Sequence, residues 1–488
     1  MRARTPILVG IGVATQREED PTRALEPLDL MLAAVRDAAS DAGGAHAALL
    51  AGVGRIAVPK GRWKYQNPGG AIARSIGAQG AVSVLASVGV LQQTLIGEAC
   101  RAIAEGEAHT TLVVGGDAGY RILRAQIAGV RASERQQDDL PAVSLTPADE
   151  LRHPAELRAG MKMPVGLYAI LESAYRARQG WSVDAHRDHL ARMYSRFSHI
   201  ATDNPHAWNR KRLEPAVIRE ASERNAMQAF PYTKLHCSTW NVDQAGALLF
   251  CSEARADELG IPRHRRIYPC ASTESNHMAQ VSTREDLAAC PGAGIAGRAA
   301  LDASGLAIDE LDLVELYTCF PVAVETYAAE LCIPTTRDLT VTGSMAFAGG
   351  PYNNYVIQAT CRMGELLREG RGRHGLVSSV SGVLTKQGFG VWSRERPVDG
   401  FGWRDVSAEV ARVDAPRRVL ESAMGPAVIA GYTVLHERGR MPRGVALVDT
   451  GDGRAVVDTE DSALVARMES AEMVGTPVIL GANHAFTA

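Results

Sequence analysis

The 488-residue sequence is poor in aromatic residues, in charge of one sign and in long apolar runs. Its 52 basic and 55 acidic residues give a net charge of −3 without a long basic stretch, so the electrostatic footprint of a nucleic-acid-binding protein is missing. No run approaches the roughly 18 apolar residues of a membrane span. The opening stretch MRARTPILVGIG has a basic start, but its apolar run is short and interrupted by glycine, which favours a first β-strand over a signal peptide. We therefore expect a cytoplasmic protein with no nucleic-acid or membrane partner.

The sequence also lacks clustered metal ligands. Its eight cysteines are widely scattered, which argues against both a zinc site with paired cysteines and a disulfide framework. His186, His189 and His199 have helical spacing, but no acidic cluster accompanies them in the sequence, so we predict no metal site. Gly89 and Gly97 do not have the G-x-G-x-x-G spacing of a dinucleotide loop.

The apolar pattern of the first 120 residues predicts alternating strands and helices. TPILVGIGVA is a near-continuous apolar strand, PLDLMLAAVRDAASDAG is a helix with one apolar stripe, and VGRIAV and TTLVVGG are further strands. This alternation, with 47 glycines for tight turns, predicts a doubly wound, mostly parallel α/β sheet. From about residue 265 a similar alternation restarts with RIYPCAST and continues to HGLVSSVSG, which predicts an internally duplicated fold.

Two segments break this alternation. MPVGLYAILESAYRARQG and WSVDAHRDHLARMYSRFSHIA are two helices with charged outer faces, and they predict an insertion lying over the core. Near the end, AVIAGYTVLHE and GVALVDTGDGRAVVD alternate as strands do, with a hairpin turn at Asp452-Gly453. The predicted domains are residues 1–128 with 226–264 (first α/β half), 129–225 (helical loop insertion), 265–396 (second half) and 398–488 (additional β-rich domain).

Several stretches of residues 1–396 resemble the thiolase superfamily. They include AIAEGEAHTTLVVGG, FPYTKLHCSTWNVDQAGALLF, VTGSMAFAGGPYNNY and GLVSSVSGVLTKQGFGVW. YTCFP, GGPYNNY and LTKQGFGVWS, with a β-rich tail, resemble more narrowly the thiolase-like proteins of type 1, which carry an additional C-terminal domain. The resemblance implies an α/β fold of duplicated halves in α-β-α-β-α layers, with a helical insertion and a small OB-like C-terminal domain. It also implies a coenzyme A thioester as ligand or substrate, no covalently bound cofactor, and a homodimer as the candidate assembly.

At most of the catalytic positions that this resemblance indicates, the residue lacks a reactive side chain. Thiolases attack the acyl group with a cysteine thiolate at a helix N-terminus, helped by a histidine and a second cysteine. Those three positions fall at Gly89, Gly350 and either Val380 or Ser381. Cys100 is the nearest cysteine to the first position, but it lies well inside the following helix. A covalent thiolase cycle is therefore excluded, because a glycine can neither attack nor carry a proton.

One motif of the family is partly kept at YTCFP. Thiolases of the sterol-carrier type have His-Asp-Cys-Phe here, so Tyr317 replaces the histidine and Cys319 matches the cysteine. A helix starting at Pro321 is expected to lower the pKa of Cys319, and Tyr317 is a candidate acid, base or donor to an enolate. The steroid side-chain aldolases of the superfamily also resemble this stretch in having a tyrosine there. The alternative for both residues is a structural role, as a packing tyrosine and a buried thiol.

The loop GGPYNNY supplies further candidates. Its backbone amides and the side chains of Asn353 and Asn354 can donate to a thioester oxygen, although glycine and asparagine are also ordinary turn residues. Lys386 is predicted to be solvated, with a contact to coenzyme A as the alternative. The predicted site consists of catalytic Tyr317, Cys319 and Tyr352 and of oxyanion or substrate-binding Gly89, Gly350, Asn353, Asn354 and Ser381.

Three functions fit these residues. The first is an acyl-CoA protein of lipid metabolism that performs acyl transfer, as in the acetyl-CoA acetyltransferase family, or C–C bond chemistry without the usual nucleophilic cysteine. The second is retro-aldol cleavage of a 3-hydroxyacyl-CoA with a steroid-like or aromatic substituent. The third is acyl-CoA binding without catalysis, including the role of a partner subunit. The empty catalytic positions favour the second and third functions over thiolysis.

Overall fold

The computed structural model describes residues 2–43 and 45–487, in which eighteen strands form three sheets. In chain order the strands are β1 (Pro6–Gln16), β2 (Arg55–Pro59), β3 (Val82–Ala86), β4 (Thr110–Ala118), β5 (Val143–Leu145), β6 (Met227–Ala229), β7 (Tyr232–Thr233), β8 (Asp243–Ser252), β9 (Tyr268–Ser275), β10 (Leu313–Glu315), β11 (His374–Ser381), β12 (Lys386–Ser393), β13 (Gly402–Asp405), β14 (Gly425–Leu435), β15 (Arg443–Asp449), β16 (Arg454–Thr459), β17 (Pro477–Leu480) and β18 (Phe486–Thr487).

Helices connect and cover these strands. In chain order they are α1 (Pro27–Ala42), α2 (His46–Ala51), α3 (Pro68–Ile76), α4 (Gln92–Glu105), α5 (Gly119–Ala128), α6 (Pro154–Arg158), α7 (Pro164–Arg178), α8 (Val183–Asp203), α9 (Pro215–Arg219), α10 (Glu253–Glu258), α11 (Pro291–Ser304), α12 (Pro321–Glu330), α13 (Ser344–Phe347), α14 (Tyr355–Arg368), α15 (Ser407–Val413) and α16 (Ser462–Ser470). Over the described residues, none of them is long and apolar enough to cross a membrane.

The first sheet has the strand order β1-β8-β4-β2-β3-β5. Strands β4, β2, β3 and β5 run parallel to one another, whereas β8 is antiparallel to both β1 and β4. Five of the six strands therefore point the same way, in agreement with the predicted mostly parallel sheet, and β8 alone returns after the insertion in the opposite direction. Strand β5, from the segment predicted as insertion, adds to the edge of this sheet through Val143, which pairs with Val84.

The second sheet has the strand order β10-β11-β12-β9-β13 and is also mixed. β11 and β12 form an antiparallel hairpin, whereas β10 and β13 lie parallel to their neighbours. Strand β13 comes from the segment predicted for the tail, and its Trp403 pairs with Ser272 of β9.

Helices α4 and α14 lie between these two sheets and contact strands of both. Val113 of β4 belongs to the core that includes α4, whereas its neighbour Val114 belongs to the core under α1 on the other face. In the second sheet, Ser272 accepts a 2.8 Å hydrogen bond from Gln93 of α4, whereas Thr273 points the other way and donates to the carbonyl of Ala296 in α11. The layers are therefore α-β-α-β-α, as predicted.

The third sheet contains the C-terminal strands in the antiparallel order β16-β15-β14-β17-β18. Strand β6 joins it through Ala229, which pairs with Leu435, so the segment before β8 is tied to this sheet. The predicted hairpin turn at Asp452-Gly453 is confirmed between β15 and β16. Helix α7 of the insertion packs on β14, where Arg176 donates a 2.6 Å hydrogen bond to the hydroxyl of Tyr432.

Candidate active site

The turn between β3 and α4 requires glycine at residue 89. Gly89 has a φ of +104°, a conformation that side-chain-bearing residues rarely adopt. A Cβ atom at this position would lie 2.8 Å from Cγ of Pro147 and 3.3 Å from Cδ2 of Leu151. Both the backbone conformation and the loop that covers the turn therefore exclude a nucleophilic side chain here.

Lys386 lies beside this turn, inside the protein. It is 3% exposed, and its Nζ donates a 3.1 Å hydrogen bond to the carbonyl oxygen of Gly89. The prediction of a solvated lysine is wrong, because strand β12 is central in its sheet and directs this side chain towards the layer of α4. Burial lowers the pKa of Lys386.

Ser381 stands directly opposite Lys386 in the β11–β12 hairpin. Lys386 therefore links two predicted site residues, Gly89 and Ser381, although it was not itself part of the predicted site.

The YTCFP stretch connects β10 to the buried start of α12. The backbone N–H of Tyr317 donates a 2.8 Å hydrogen bond to Oγ of Ser378, and its ring packs edge-on against Tyr355 with centroids 5.7 Å apart. Tyr317 is 9% exposed, and burial raises the pKa of its hydroxyl. The hydroxyl therefore stays protonated at neutral pH, where it can act as a hydrogen-bond donor.

Cys319 does not have the lowered pKa expected from its place before a helix. Burial raises the pKa of Cys319 to about 12, although Tyr168 and the backbone amides of Phe320 and Cys319 itself act in the opposite direction. The helix-terminal amides are present as expected, but α7 of the insertion covers them. Tyr168 of that helix stacks on Phe320 with ring centroids 4.5 Å apart. Loss of hydration therefore raises the pKa of Cys319 by more than the helix terminus lowers it.

The other cysteines of the described residues do not replace this thiolate. Burial also raises the pKa of six of them: Cys100, Cys237, Cys251, Cys270, Cys290 and Cys361. Cys332 is exposed, and it lies beyond the far end of α12. No described thiol near the turn at Gly89 is therefore activated for nucleophilic attack.

A short segment joins YTCFP to the GGPYNNY loop. The hydroxyl of Ser238 donates a 3.0 Å hydrogen bond to the carbonyl of Cys319, and the carbonyl of Thr239 accepts a 2.9 Å bond from the N–H of Gly350. The structure thus brings Cys319 and Gly350 together, as predicted from the motifs. Ser238 and Thr239 were missed, since their only signal was membership of a stretch that resembles the family.

Asn353 and Asn354 meet the start of α4 through Gln92. The amide of Gln92 donates to Oδ1 of Asn353 at 3.4 Å, and its oxygen accepts a 2.7 Å bond from the N–H of Val356 at the start of α14. Nδ2 of Asn353 and both polar side-chain atoms of Asn354 are buried without a partner. Asn354 packs against Gly115, where a Cβ atom would lie 2.3 Å from Oδ1 of the asparagine. Buried amides without partners are unfavourable, so these two asparagines are candidates for contact with a bound polar group.

Tyr352 lies at the surface end of the same loop. Its φ of +42° is unusual for a residue with a side chain, and the residue is 37% exposed. The guanidinium of Arg62 lies 5.9 Å from the centroid of its ring and forms a 2.9 Å ion pair with Asp117. Tyr352 therefore differs from Tyr317, because solvent reaches it and a positive charge lies beside it.

The predicted residues thus form one connected arrangement around the starts of α4 and α14. The links are Lys386 between Gly89 and Ser381, Ser238 beside Cys319 and Gly350, and Gln92 beside Asn353. Its polar groups are hydroxyls, amides and one buried lysine, so it can stabilise negative charge on an oxygen but offers no thiolate.

Two mixed sheets that enclose two helices, with a buried turn before the first of them, define a thiolase-like fold. A monomeric SCP2-thiolase like protein type 1 from Mycobacterium smegmatis matches this chain with a TM-score of 0.82 and 24% identity over 99% of both chains. An Ltp2-ChsH2(DUF35) aldolase matches with a TM-score of 0.61 and 18% identity over 81% of this chain and 99% of that one. Acetyl-CoA acetyltransferase from Syntrophomonas wolfei matches with a TM-score of 0.56 and 17% identity over 80% and 99%.

These similarities confirm the thiolase-like fold that the sequence motifs predicted. No protein-family model matches the sequence. Identities below 25% establish the fold and leave the reaction to be argued from the residues of the site.

Proposed function

We propose that this protein binds acyl-CoA thioesters at the starts of α4 and α14 and acts on them by C–C bond chemistry without a cysteine nucleophile. The observation that carries this proposal is the pair of buried amide groups of Asn353 and Asn354, whose Nδ2 atoms have no acceptor. A thioester carbonyl supplies such an acceptor, and its oxygen gains negative charge when an enolate forms. Cytoplasmic lipid metabolism is the setting that we infer for this chemistry.

Retro-aldol cleavage of a 3-hydroxyacyl-CoA is the reaction that these groups support best. A base removes the proton of the 3-hydroxyl group, the bond between C2 and C3 breaks, and C3 leaves as the carbonyl carbon of a ketone or aldehyde. The electron pair remains on the thioester as an enolate, which is then protonated at C2. Amide and phenol donors around the thioester oxygen lower the energy of this enolate.

The tyrosines take different roles in this proposal. Tyr317 stays protonated because burial raises its pKa, so it suits donation to the enolate oxygen and return of a proton. Tyr352 is exposed beside Arg62, and we assign its hydroxyl to relay the proton of the 3-hydroxyl group to solvent water, which is the final acceptor. Cys319 contributes a neutral thiol. Acyl transfer is less well supported, because nothing at Gly89 can carry the acyl group between donor and acceptor.

The names of the similar structures include an aldolase and an acetyltransferase. At 18% and 17% identity they support the shared fold and do not choose between the two reactions. The choice of retro-aldol chemistry therefore rests on the site residues.

A second candidate is acyl-CoA binding without catalysis, alone or as a partner subunit. It is favoured by the cover that Pro147 and Leu151 place over the turn at Gly89 and by the burial of Tyr317 and Cys319. A site closed in this way can retain a ligand even where proton transfer is absent.

Calorimetry and a turnover screen distinguish these candidates. The screen uses 3-hydroxyacyl-CoAs that are branched or cyclic at C3, with mass spectrometry of the shortened acyl-CoA and of the released ketone or aldehyde. Binding with turnover supports the retro-aldol proposal, and binding without turnover across the screen supports the second candidate. Absence of binding at millimolar acyl-CoA contradicts both.

A further inference from the structure

A second cluster of titratable side chains lies outside this site, where α7 and α8 of the insertion pack on α12. Glu172 of α7, His186 of α8 and Glu325 of α12 are fully buried, and one ligand atom from each lies within 4.8 Å of the other two. His189, one turn further along α8, has its Nε2 3.1 Å from Oε1 of Glu325. Three groups that commonly bind metals therefore meet at one point inside the protein, and His189 lies beside one of them, Glu325.

The hydrogen bonding of this cluster is incomplete. Nε2 of His186 pairs with Oε1 of Glu172 at 2.8 Å, but neither carboxylate oxygen of Glu325 has a hydrogen-bond partner. Nε2 of His189 is close to Glu325 yet not aligned for a hydrogen bond, so it too has no partner. Two adjacent carboxylates in a dry interior require a proton or a cation between them.

A proton satisfies only part of this cluster. A single proton on Glu325 serves one acceptor, which leaves the other Glu325 oxygen and Nε2 of His189 unpaired. A metal ion can engage both carboxylates and His186 at once, with His189 beside Glu325 as the candidate fourth ligand.

We propose that Glu172, His186, His189 and Glu325 form a binding site for a divalent transition metal, with Zn²⁺ as the ion that fits best. Two carboxylates neutralise its charge, and imidazole nitrogen and carboxylate oxygen are ordinary zinc ligands. Ligand atoms about 2.1 Å from a tetrahedral ion lie about 3.4 Å apart. The pairs at 2.8 and 3.1 Å therefore need to widen only slightly. His189 lies outside the group of ligand atoms within 4.8 Å of one another, so its ring must move towards Glu172 and His186 to complete the site.

The surroundings resemble the outer shell of a structural metal site. The hydroxyl of Tyr232 donates to the second carboxylate oxygen of Glu172, which orients that ligand. The ring of Trp181 packs against His189 and His186, with centroid separations of 4.7 and 5.8 Å. Four protein ligands leave no open position, so the ion fastens α7 and α8 to α12 and takes no part in chemistry.

The sequence did not indicate this site because its acidic ligands come from other helices. His186 and His189 stand at helical spacing without acidic neighbours that could complete a site. Glu172 and Glu325 reach them only when α7 and α12 pack on α8.

Elemental analysis of the folded protein tests this proposal. Full-length protein without a histidine tag is made in zinc-supplemented medium, with Cys332→Ser in every variant to remove the exposed thiol. We expect about one zinc per chain and visible d–d absorption of tetrahedral type when Co²⁺ replaces Zn²⁺. Glu325→Gln keeps the side-chain shape but removes a charged ligand, and His189→Gln removes an imidazole, so both should lose the metal. His199→Gln, an exposed residue of the same helix, should retain it.

Metal content also separates this proposal from a proton-sharing cluster. Folded Cys332→Ser protein without zinc or cobalt above the level of an unrelated control protein would overturn the proposal, even if a ligand variant failed to fold. Zinc that persists undiminished in folded Glu325→Gln and His189→Gln would overturn it too. Neither readout depends on acyl-CoA binding or turnover, so the result is independent of the proposed function.

Discussion

The ammonium group of Lys386 donates a hydrogen bond to the carbonyl oxygen of Gly89, at 3.1 Å and out of contact with solvent. This bond joins the β11–β12 hairpin of the second sheet to the turn that precedes α4. The resemblance to thiolases aligns their nucleophilic cysteine with this turn. Here the turn has only its backbone at that position, and Lys386 lies beside it. The bond therefore ties the two α/β halves together at this turn.

A cysteine introduced at residue 89 should not restore thiolase chemistry. Gly89→Cys places a side chain at a φ of +104° and against Pro147, so we expect a loss of about 1–3 kcal/mol in the free energy of unfolding. Displacement of the turn should also break the bond from Lys386. Urea unfolding and an acetoacetyl-CoA thiolysis assay measure the two effects.

Gly80→Cys is the matched control, because that glycine is exposed and a Cβ atom there meets nothing within 4 Å. It should leave stability unchanged. If Gly89→Cys is as stable as Gly80→Cys and catalyses thiolysis, our account of the turn is wrong.

Much of the fold was predictable because its elements have strong local patterns. The apolar runs of β1 and β4, the stripe of α1, the Ser182 cap of α8 and the Asp452-Gly453 turn are all legible in the sequence, and all are found. The reversed direction of β8 was not predictable. Whether β8 enters its sheet parallel or antiparallel depends on how the long insertion returns, and no local pattern encodes that.

The residues of the candidate site could be chosen from motif spacing, but their surroundings could not be predicted. Motif spacing identified Tyr317, Cys319 and the 350–354 loop, which the structure brings together. It did not reveal that the Cys319 thiol is buried beneath helix α7, or that Lys386 points inward. Both depend on tertiary packing, which sets desolvation and therefore pKa.

The stability of the protein should fall between about pH 5 and pH 8 through Glu274. Burial raises the pKa of this residue from 4.5 to about 7, so it folds most favourably when protonated. A group with a raised folded pKa contributes stability below its unfolded pKa, and that contribution is lost as the pH rises through the folded value. The loss is up to about 3 kcal/mol. Glu274→Gln, which remains neutral and can still accept from Thr94, should flatten this part of the profile in urea unfolding.

Glu409→Gln is the control for this effect, because Glu409 is exposed on α15 and its replacement should leave the slope unchanged. Every variant should retain a smaller dependence of the free energy of unfolding on pH that comes from Asp243, since burial raises the pKa of Asp243 to about 6. Equal slopes for Glu274→Gln and the parent protein would contradict the assignment.

Replacement of Asn354 by leucine should stabilise the free protein and weaken acyl-CoA binding. Leucine has a similar shape and removes two buried polar atoms that lack partners, a gain of about 1–3 kcal/mol. The same change removes a donor that we assign to the thioester oxygen. The melting temperature should therefore rise, whereas the acyl-CoA affinity measured by calorimetry should fall. Thr360→Val in the same helix α14 loses only an internal bond to the Val356 carbonyl, and should leave binding intact. Unchanged binding in folded Asn354→Leu would remove this residue from the site.

Tyr317→Phe should be the most damaging single change to any turnover found in the screen. It deletes the hydroxyl and keeps the ring against Tyr355, so packing should change little. Loss of one acid or base contribution costs about 10²–10⁴ in rate. Cys319→Ala should cost less than about tenfold, because a thiol with a pKa of about 12 supplies no anion near neutral pH. Tyr352→Phe should fall between them, since its hydroxyl handles a substrate proton at a position that water also reaches.

Tyr327→Phe controls for the loss of a buried hydroxyl, because Tyr327 is a buried tyrosine of α12 that bonds the Ser379 carbonyl. It should unfold at nearly the same urea concentration as Tyr317→Phe and retain turnover.

A fall in kcat for Tyr317→Phe with binding preserved identifies an interaction made mainly in the transition state, as expected for a donor to an enolate. Weaker binding with kcat unchanged would instead mark Tyr317 as a ligand contact. If Tyr317→Phe, Cys319→Ala and Tyr352→Phe all fold and keep the wild-type rate, the catalytic assignment is wrong.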